Sequence, residues 1–145
     1  MKALIQRVSQ AQVEVNQQLS GEIGPGLVAL VGIEKNDDIT KADKLVKRML
    51  SYRVFYDDLG KMNLSLSDIK GGLLIVSQFT LAADTKSGTR PGFSSAKNPK
   101  EAEVLYDYLV QQAQQLHSAV ETGIFGADMQ LTLTNDGPVT FLLEC

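Results

Sequence analysis

The sequence predicts an α+β fold, one domain over residues 1–145 with a mainly antiparallel, barrel-like sheet and two principal helices. Three observations lead there. Most of the chain alternates apolar and polar residues with a period of two, only two stretches carry apolar residues at helical spacing, and clusters of Gly, Pro and Asn separate one stretch from the next. At 145 residues, with 43% hydrophobic and 21% charged content, the chain can bury one substantial core.

Lys2 to Val8 alternates, Val13 and Val15 continue the pattern, and Asn16-Gln17-Gln18 marks a turn before a strand from Leu19 to Ile23. Gly24-Pro25-Gly26 breaks the chain ahead of the apolar run Leu27 to Ile33. From Ile39 onward, Ala42, Leu45, Val46, Met49 and Leu50 fall on one helical face, with Thr40 or Asp38 placed to cap its start. Lys41, Lys44, Lys47 and Arg48 occupy the other face, either as a solvated surface or as a contact for RNA. Arg53 to Tyr56, the turn Asp57-Asp58-Leu59-Gly60 and Met62 to Leu66 form a hairpin pattern. Leu73 to Val76 has no polar face, which predicts a central strand buried on both sides. Asp84 to Asn98 is a long loop with little periodicity. Asn98-Pro99 then supplies a cap and a first-turn proline for a second helix, whose stripe is Ala102, Leu105, Tyr106, Leu109, Ala113 and Leu116 and whose end is Gly123. Met129, Leu131 and Leu133, and after them Val139, Phe141 and Leu143, alternate on two further strands separated by a tight turn at Asn135-Asp136-Gly137-Pro138.

Net charge is −3, which argues against a protein that coats nucleic acid through general electrostatics. The distribution is uneven. All 14 basic residues and 10 of the 17 acidic ones precede Glu101, so the first hundred residues carry +4 and the last 45 carry −7. That asymmetry permits a local basic surface for a phosphate backbone, with ordinary solvated charge as the alternative. The chain shows no apolar run of the ~18 residues a membrane helix needs and no signal-peptide pattern, and it is expected to be cytoplasmic and free of membrane contact.

The usual catalytic constellations are missing. His117 is the only histidine and falls near a helix end, where a surface position is expected. Cys145 is the only cysteine, so no disulfide within the chain, no metal site and no cofactor are expected, and there is no glycine-rich phosphate loop. If the chain is an enzyme, it works with hydroxyls, backbone amides and its substrate.

Two segments break the rules of a plain core. Ser77-Gln78-Phe79-Thr80-Leu81 places polar side chains at the end of the most hydrophobic strand, where an unsatisfied buried donor costs about 1–3 kcal/mol. Asn135-Asp136-Gly137-Pro138-Val139-Thr140 is the second. Each also has a structural reading, as a strand-end turn and an ordinary reverse turn. Arg7 is a charge on a strand otherwise destined for the core, and is either an edge charge or a donor to carbonyls of the second segment.

Together the two segments resemble the signature motifs of the D-aminoacyl-tRNA deacylases. The resemblance extends to Leu4-Ile5-Gln6-Arg7-Val8, Gly21-Glu22-Ile23-Gly24, Gly60-Lys61-Met62-Asn63, Arg90-Pro91 with Phe93, Ala102-Glu103 through Tyr106, and Phe125 to Met129. Gly92 departs from the pattern, which places serine between Pro91 and Phe93.

The resemblance implies a homodimer with active sites at the interface, each built from Ser77, Gln78, Phe79 and Thr80 of one subunit and the Gly137-Pro138 turn of the other. It implies a cis Gly137-Pro138 bond whose carbonyls face the amino-acid end of D-aminoacyl-tRNA and exclude an L side chain, with glycine tolerated. N–H groups near Phe79 and Thr80 are then the oxyanion donors, and the substrate's 2′-hydroxyl assists the attack. Phe125 and Met129 line an adenosine pocket or are plain core. The alternatives are a non-catalytic RNA-binding module of the translation apparatus and a general small-ester hydrolase with Thr80 as nucleophile.

Overall fold

A computed structural model describes residues 1–145. Its spine is strand β1 (Lys2–Val15), which is long enough to pair with three neighbours. Asn16 and Gln17 follow with φ of 51° and 63°, a two-residue turn that matches strand twist, and return the chain as β2 (Gln18–Ile23) along the second half of β1. β3 (Gly26–Gly32) pairs with the first half of β1, antiparallel like β2.

Helix α1 (Ile39–Ser51) starts where Asp38, not Thr40, accepts the Lys41 N–H, and it buries Ala42, Leu45, Val46, Met49 and Leu50 as the spacing predicts. The hairpin β4 (Arg53–Tyr56) and β5 (Met62–Ser65) follows. The predicted hairpin ran to Leu66, but the chain turns into a one-turn helix α2 (Leu66–Ile69). Ser65 Oγ accepts from the Asp68 N–H there, and the Asp68 carboxylate accepts from the Ser65 N–H in return.

β6 (Gly72–Ser77) lies parallel to β3, and β7 (Val120–Thr122) lies parallel to β6. The sheet is therefore antiparallel around β1 and parallel in one limb, with strand order β2-β1-β3-β6-β7 and β8 (Gln130–Glu144) on the other edge of β1. Leu73, Leu74, Ile75 and Val76 are all buried, because one face of β6 packs under the helices and the other packs inside the curled sheet with Val8, Val13 and Val28. Curling brings β2 to β7, where Ser20 Oγ donates to the Thr122 carbonyl at 3.1 Å and nearly closes the barrel.

Helix α3 (Pro99–Leu116) is capped by Asn98 as predicted. Its end differs from the expectation. The helix stops at Leu116, which is 56% exposed, and His117 turns inward to 9% exposure with its Nε2 2.6 Å from the Gly71 carbonyl oxygen. His117 is thus a buried C-terminal cap and not a surface residue, and β7 occupies residues that the sequence pattern gives to the helix.

β8 is one strand where two were predicted. Gln6 pairs with Thr140 and Val8 with Asn135, so Asp136, Gly137, Pro138 and Val139 bulge opposite the single residue Arg7. The predicted turn is this bulge.

The chain start is anchored electrostatically. The Met1 ammonium is buried and donates to Asp37 Oδ1 at 2.7 Å, Glu34 Oε2 at 3.1 Å and the Cys145 carbonyl at 2.9 Å. Burial pushes the Asp37 carboxyl up, but hydrogen bonds from the ammonium, the Glu34 N–H and Lys41 outweigh it and hold the group below the usual Asp range. Glu34 is lowered in the same way, with burial opposed by the ammonium and Lys2. A carboxyl lowered by folding contributes stability above its unfolded pKa and loses it as pH falls through the folded value. Tm is therefore expected to hold level from neutral pH to about 5 and to fall from about pH 4 downward. Asp37→Asn should lower Tm at pH 7 and flatten that acid limb, as calorimetry across pH would show.

Candidate active site

The first signature lies where β6 runs out of core. Val76 is the last buried residue of the strand, Ser77 and Gln78 are half-buried, and Phe79 is 61% exposed. The Gln78 N–H donates to the Val31 carbonyl at 2.7 Å, which ends the parallel ladder. The chain then enters a 3₁₀ turn over Phe79–Ala82. The Leu81 N–H is the first to find an acceptor within this turn, the Gln78 carbonyl, so the N–H groups of Phe79 and Thr80 have no partner along it.

Phe79 borders a cleft of about 730 Å³ at the C-terminal ends of the parallel strands β3 and β6, the end at which open sheets offer a crevice, and Thr80 follows just outside it. Ser77, Gln78 and Phe79 line it, with Val31, Ile33 and Val76 as a floor. One wall is the chain from Phe93 to Pro99 with Ala102 of α3; the other is Phe125 to Met129 with Leu131. Lys97 is the only ionisable lining residue, and its Nζ is held by the Lys35 carbonyl at 3.0 Å and by Glu101 at 3.9 Å.

Phe125 and Met129 are both core and lining. Phe125 stacks at 5.5 Å on Tyr106, whose hydroxyl donates to the Ile75 carbonyl at 2.9 Å and whose pKa burial pushes well above the ordinary phenol value. Met129 packs over Gly123, where a Cβ would stand 2.5 Å from its sulfur. At the mouth, Phe79 and Phe93 stack with centroids 5.1 Å apart. Thr80 is exposed beside the cleft, and its Oγ1 accepts a hydrogen bond from Gln78 Nε2. The only imidazole, His117, points at Gly71 instead.

The second signature lies elsewhere on the chain, since neither Arg7, Gly137 nor Pro138 lines the cleft. Arg7 is 2% exposed, so it is not an edge charge. Its Nε donates to the Asp136 carbonyl at 3.0 Å and pairs with Asp136 Oδ2 at 3.2 Å, and its Nη1 donates to the Val54 carbonyl at 2.6 Å. The guanidinium also lies 4.7 Å from the Tyr56 ring centroid. Gly137 has φ +136°, and a Cβ there would stand 2.8 Å from Val139 Cγ2, so only glycine fits. The Gly137-Pro138 bond is cis, as the resemblance implies. Val54, Tyr56 and the start of α3 were legible in the sequence as parts of a strand and a helix but not as parts of a site, because those roles depend on contacts across the fold.

Known proteins resemble this chain over nearly its whole length. A family model for D-Tyr-tRNA(Tyr) deacylase matches residues 4–144. A D-aminoacyl-tRNA deacylase of Stutzerimonas stutzeri (strain A1501) is 61% identical over 144 residues, 99% of each chain, and one of Pseudoalteromonas translucida (strain TAC 125) is 59% identical over 143 residues, again 99% of each. Among solved structures, a c-Myc DNA unwinding element binding protein superposes with a TM-score of 0.96 at 37% identity, over 100% of this chain and 99% of that one. A probable eukaryotic D-amino acid tRNA deacylase gives 0.88 at 16% identity, over 98% and 97%, and shares the fold. No helix is long and apolar enough to cross a membrane. With a family model that spans nearly every residue and relatives of this identity aligned end to end, this chain belongs to the D-Tyr-tRNA(Tyr) deacylase family.

Proposed function

We propose that the chain hydrolyses the ester of D-aminoacyl-tRNA in the cytoplasm, releases the free D-amino acid and tRNA, and rejects L-aminoacyl-tRNA. The observation that carries this reading is the apolar cleft that ends at Phe79, where the turn leaves the N–H groups of Phe79 and the adjoining Thr80 without a partner. An oxyanion formed there as water attacks the ester carbonyl would meet fixed donors, each worth roughly 2.7–4 kcal/mol in comparable sites. Ser77 and Gln78 set the depth and direction of the turn, while Phe125 and Met129 give the terminal adenosine an apolar wall. The leaving oxygen is the 3′-oxygen of the ribose, and the neighbouring 2′-hydroxyl orients or activates the water.

The Gly137-Pro138 bulge supplies selection. It offers backbone and no reactive side chain, it is exposed, and Arg7 clamps it from below. Because it does not line the cleft of its own chain, the site is completed by the bulge of a second copy. The outer edge of β8 carries no strand in this chain and exposes Phe141 and Leu142, which supports a homodimer. A rigid wall that rejects an L side chain by contact admits any D side chain pointing away from it, and admits glycyl-tRNA.

The test is deacylation of D-Tyr-tRNA and L-Tyr-tRNA by protein whose mass is fixed by sedimentation. Cleavage of the D substrate alone by a dimer is expected. An RNA-binding module would cleave neither, a general esterase would cleave both, and an active monomer would refute the shared site.

A further inference from the structure

The mouth of the cleft is uneven in charge. From Asp84 to the lining residue Ala102 the chain carries Lys86, Arg90, Lys97 and Lys100 against Asp84 and Glu101, the latter paired with Lys97, whereas the opposite wall from Phe125 to Leu131 carries Asp128 and no base. Hydrogen bonds fix where the bases stand. The Lys35 N–H donates to the Ser95 carbonyl at 2.8 Å and the Lys97 N–H to the Ile33 carbonyl at 3.1 Å, so the connection after β3 lies against the cleft wall. Lys86 and Arg90 lie on a segment closed by mutual hydrogen bonds of Asp84 and Gly92 at 2.7 and 3.0 Å, directly before the lining residue Phe93. Lys100 follows the lining residue Pro99.

Lys35, Lys86, Arg90 and Lys100 are all exposed, and none of their side chains enters an ion pair or hydrogen bond within the chain. The other basic face is partly committed, with Lys41 bound to Asp37 and Arg48 Nη1 donating to the Glu144 carbonyl at 2.6 Å. Helix α1, which carries that face, does not line the cleft.

We infer that the surface of Lys35, Lys86, Arg90 and Lys100 receives the phosphate backbone of the tRNA acceptor end as it leaves the cleft. The inference rests on the reading that the cleft holds the aminoacyl-adenosine. An apolar cleft can hold an ester and a base, but it cannot neutralise phosphates. A polyanion leaving it gains by crossing the basic wall and loses by crossing the acidic one.

The experiment compares the parent protein, Arg90→Glu/Lys100→Glu and, as a control of equal charge change, Lys44→Glu/Lys47→Glu on α1. Each is assayed on D-Tyr-tRNA and on D-tyrosyl-adenosine, which has no phosphate. Arg90→Glu/Lys100→Glu is expected to raise KM for D-Tyr-tRNA about tenfold or more. It should also lessen the slope of log(1/KM) against log salt by roughly 1.4–1.8, which is about 0.7–0.9 for each phosphate that is no longer neutralised. Its kcat/KM on D-tyrosyl-adenosine should stay within about twofold of the parent, and the α1 control should match the parent on both substrates within about twofold, as for exposed charges away from the bound RNA. An unchanged KM for D-Tyr-tRNA overturns the inference. Equal weakening by the α1 control, or an equal loss on D-tyrosyl-adenosine, also overturns it. A parent that cleaves neither substrate overturns the function on which it rests, whereas an active parent with an unaffected variant overturns only the surface.

Discussion

A D-Tyr-tRNA ending in 2′-deoxyadenosine is expected to be cleaved about 10²–10⁴-fold more slowly than the natural substrate, the range over which positioned proton transfer acts. Thr80→Ala, by contrast, should keep activity within about tenfold, since one neutral hydrogen bond contributes roughly 0.5–1.5 kcal/mol. The reason lies in what surrounds the threonine. Its Oγ1 accepts a hydrogen bond from Gln78 Nε2, so a donor, not a base, faces that oxygen. Lys97 is a cation engaged by Glu101 and the Lys35 carbonyl, and His117 is buried against Gly71. A threonine hydroxyl is a weak nucleophile without a base to take its proton. The substrate brings its own hydroxyl next to the scissile ester, already held by the bond that breaks. Single-turnover rates on both substrates with both proteins give the answer. Full activity on the deoxy substrate together with a dead Thr80→Ala would make Thr80 the nucleophile.

Local signals in the sequence match the structure where local forces decide. The stripe of α1 is buried as spaced, Asn98-Pro99 starts α3, and the unbroken run Leu73 to Val76 is a strand covered on both faces. The first candidate segment was also legible, because Ser77 to Thr80 puts polar groups where an apolar strand leaves the core. Apart from the local capping box of Ser65 and Asp68 that opens α2, the misses involve partners far along the chain. His117 is held by Gly71, 46 residues away, and ends a helix whose pattern continues through Leu116. β7 is three residues long, too short to show a period, and exists because it pairs with β6. The composition Asn135-Asp136-Gly137-Pro138 signals a turn, yet β1 runs past it and pairs with β8 on both sides. Composition records that the chain must leave the ladder there, and the long partner strand decides that it returns to the same one.

Arg7→Met is expected to give a folded protein that has lost about 10- to 100-fold of its preference for D over L substrates. Arg7 is the one side chain standing opposite the four-residue bulge, and it binds three things at once: the Asp136 carbonyl, the Asp136 carboxylate and the Val54 carbonyl of β4. The Tyr56 ring covers it. A hydrogen bond to a charged group contributes about 1.5–3 kcal/mol, which as selectivity corresponds to roughly that 10- to 100-fold range. Methionine fills similar space but donates nothing, so the bulge loses its tie to β4 while the apolar packing survives. Discrimination between mirror-image side chains needs a wall that does not yield, and a wall free to move by a fraction of an ångström admits the L form. The loss should therefore fall on the ratio of kcat/KM values, through faster L cleavage as well as slower D cleavage. Arg7→Lys keeps the charge but has no planar fork to reach Val54 and Asp136 together, and it should recover stability more than selectivity. Should Arg7→Met fail to fold, Asp136→Asn tests the same clamp from the solvent side, since that carboxylate is 59% exposed and the substitution removes only its ion pair with Arg7. Melting curves on each purified variant separate folding from function. A folded Arg7→Met protein with the parental D-over-L ratio would show that the bulge keeps its shape without the clamp, and that selection depends on other contacts.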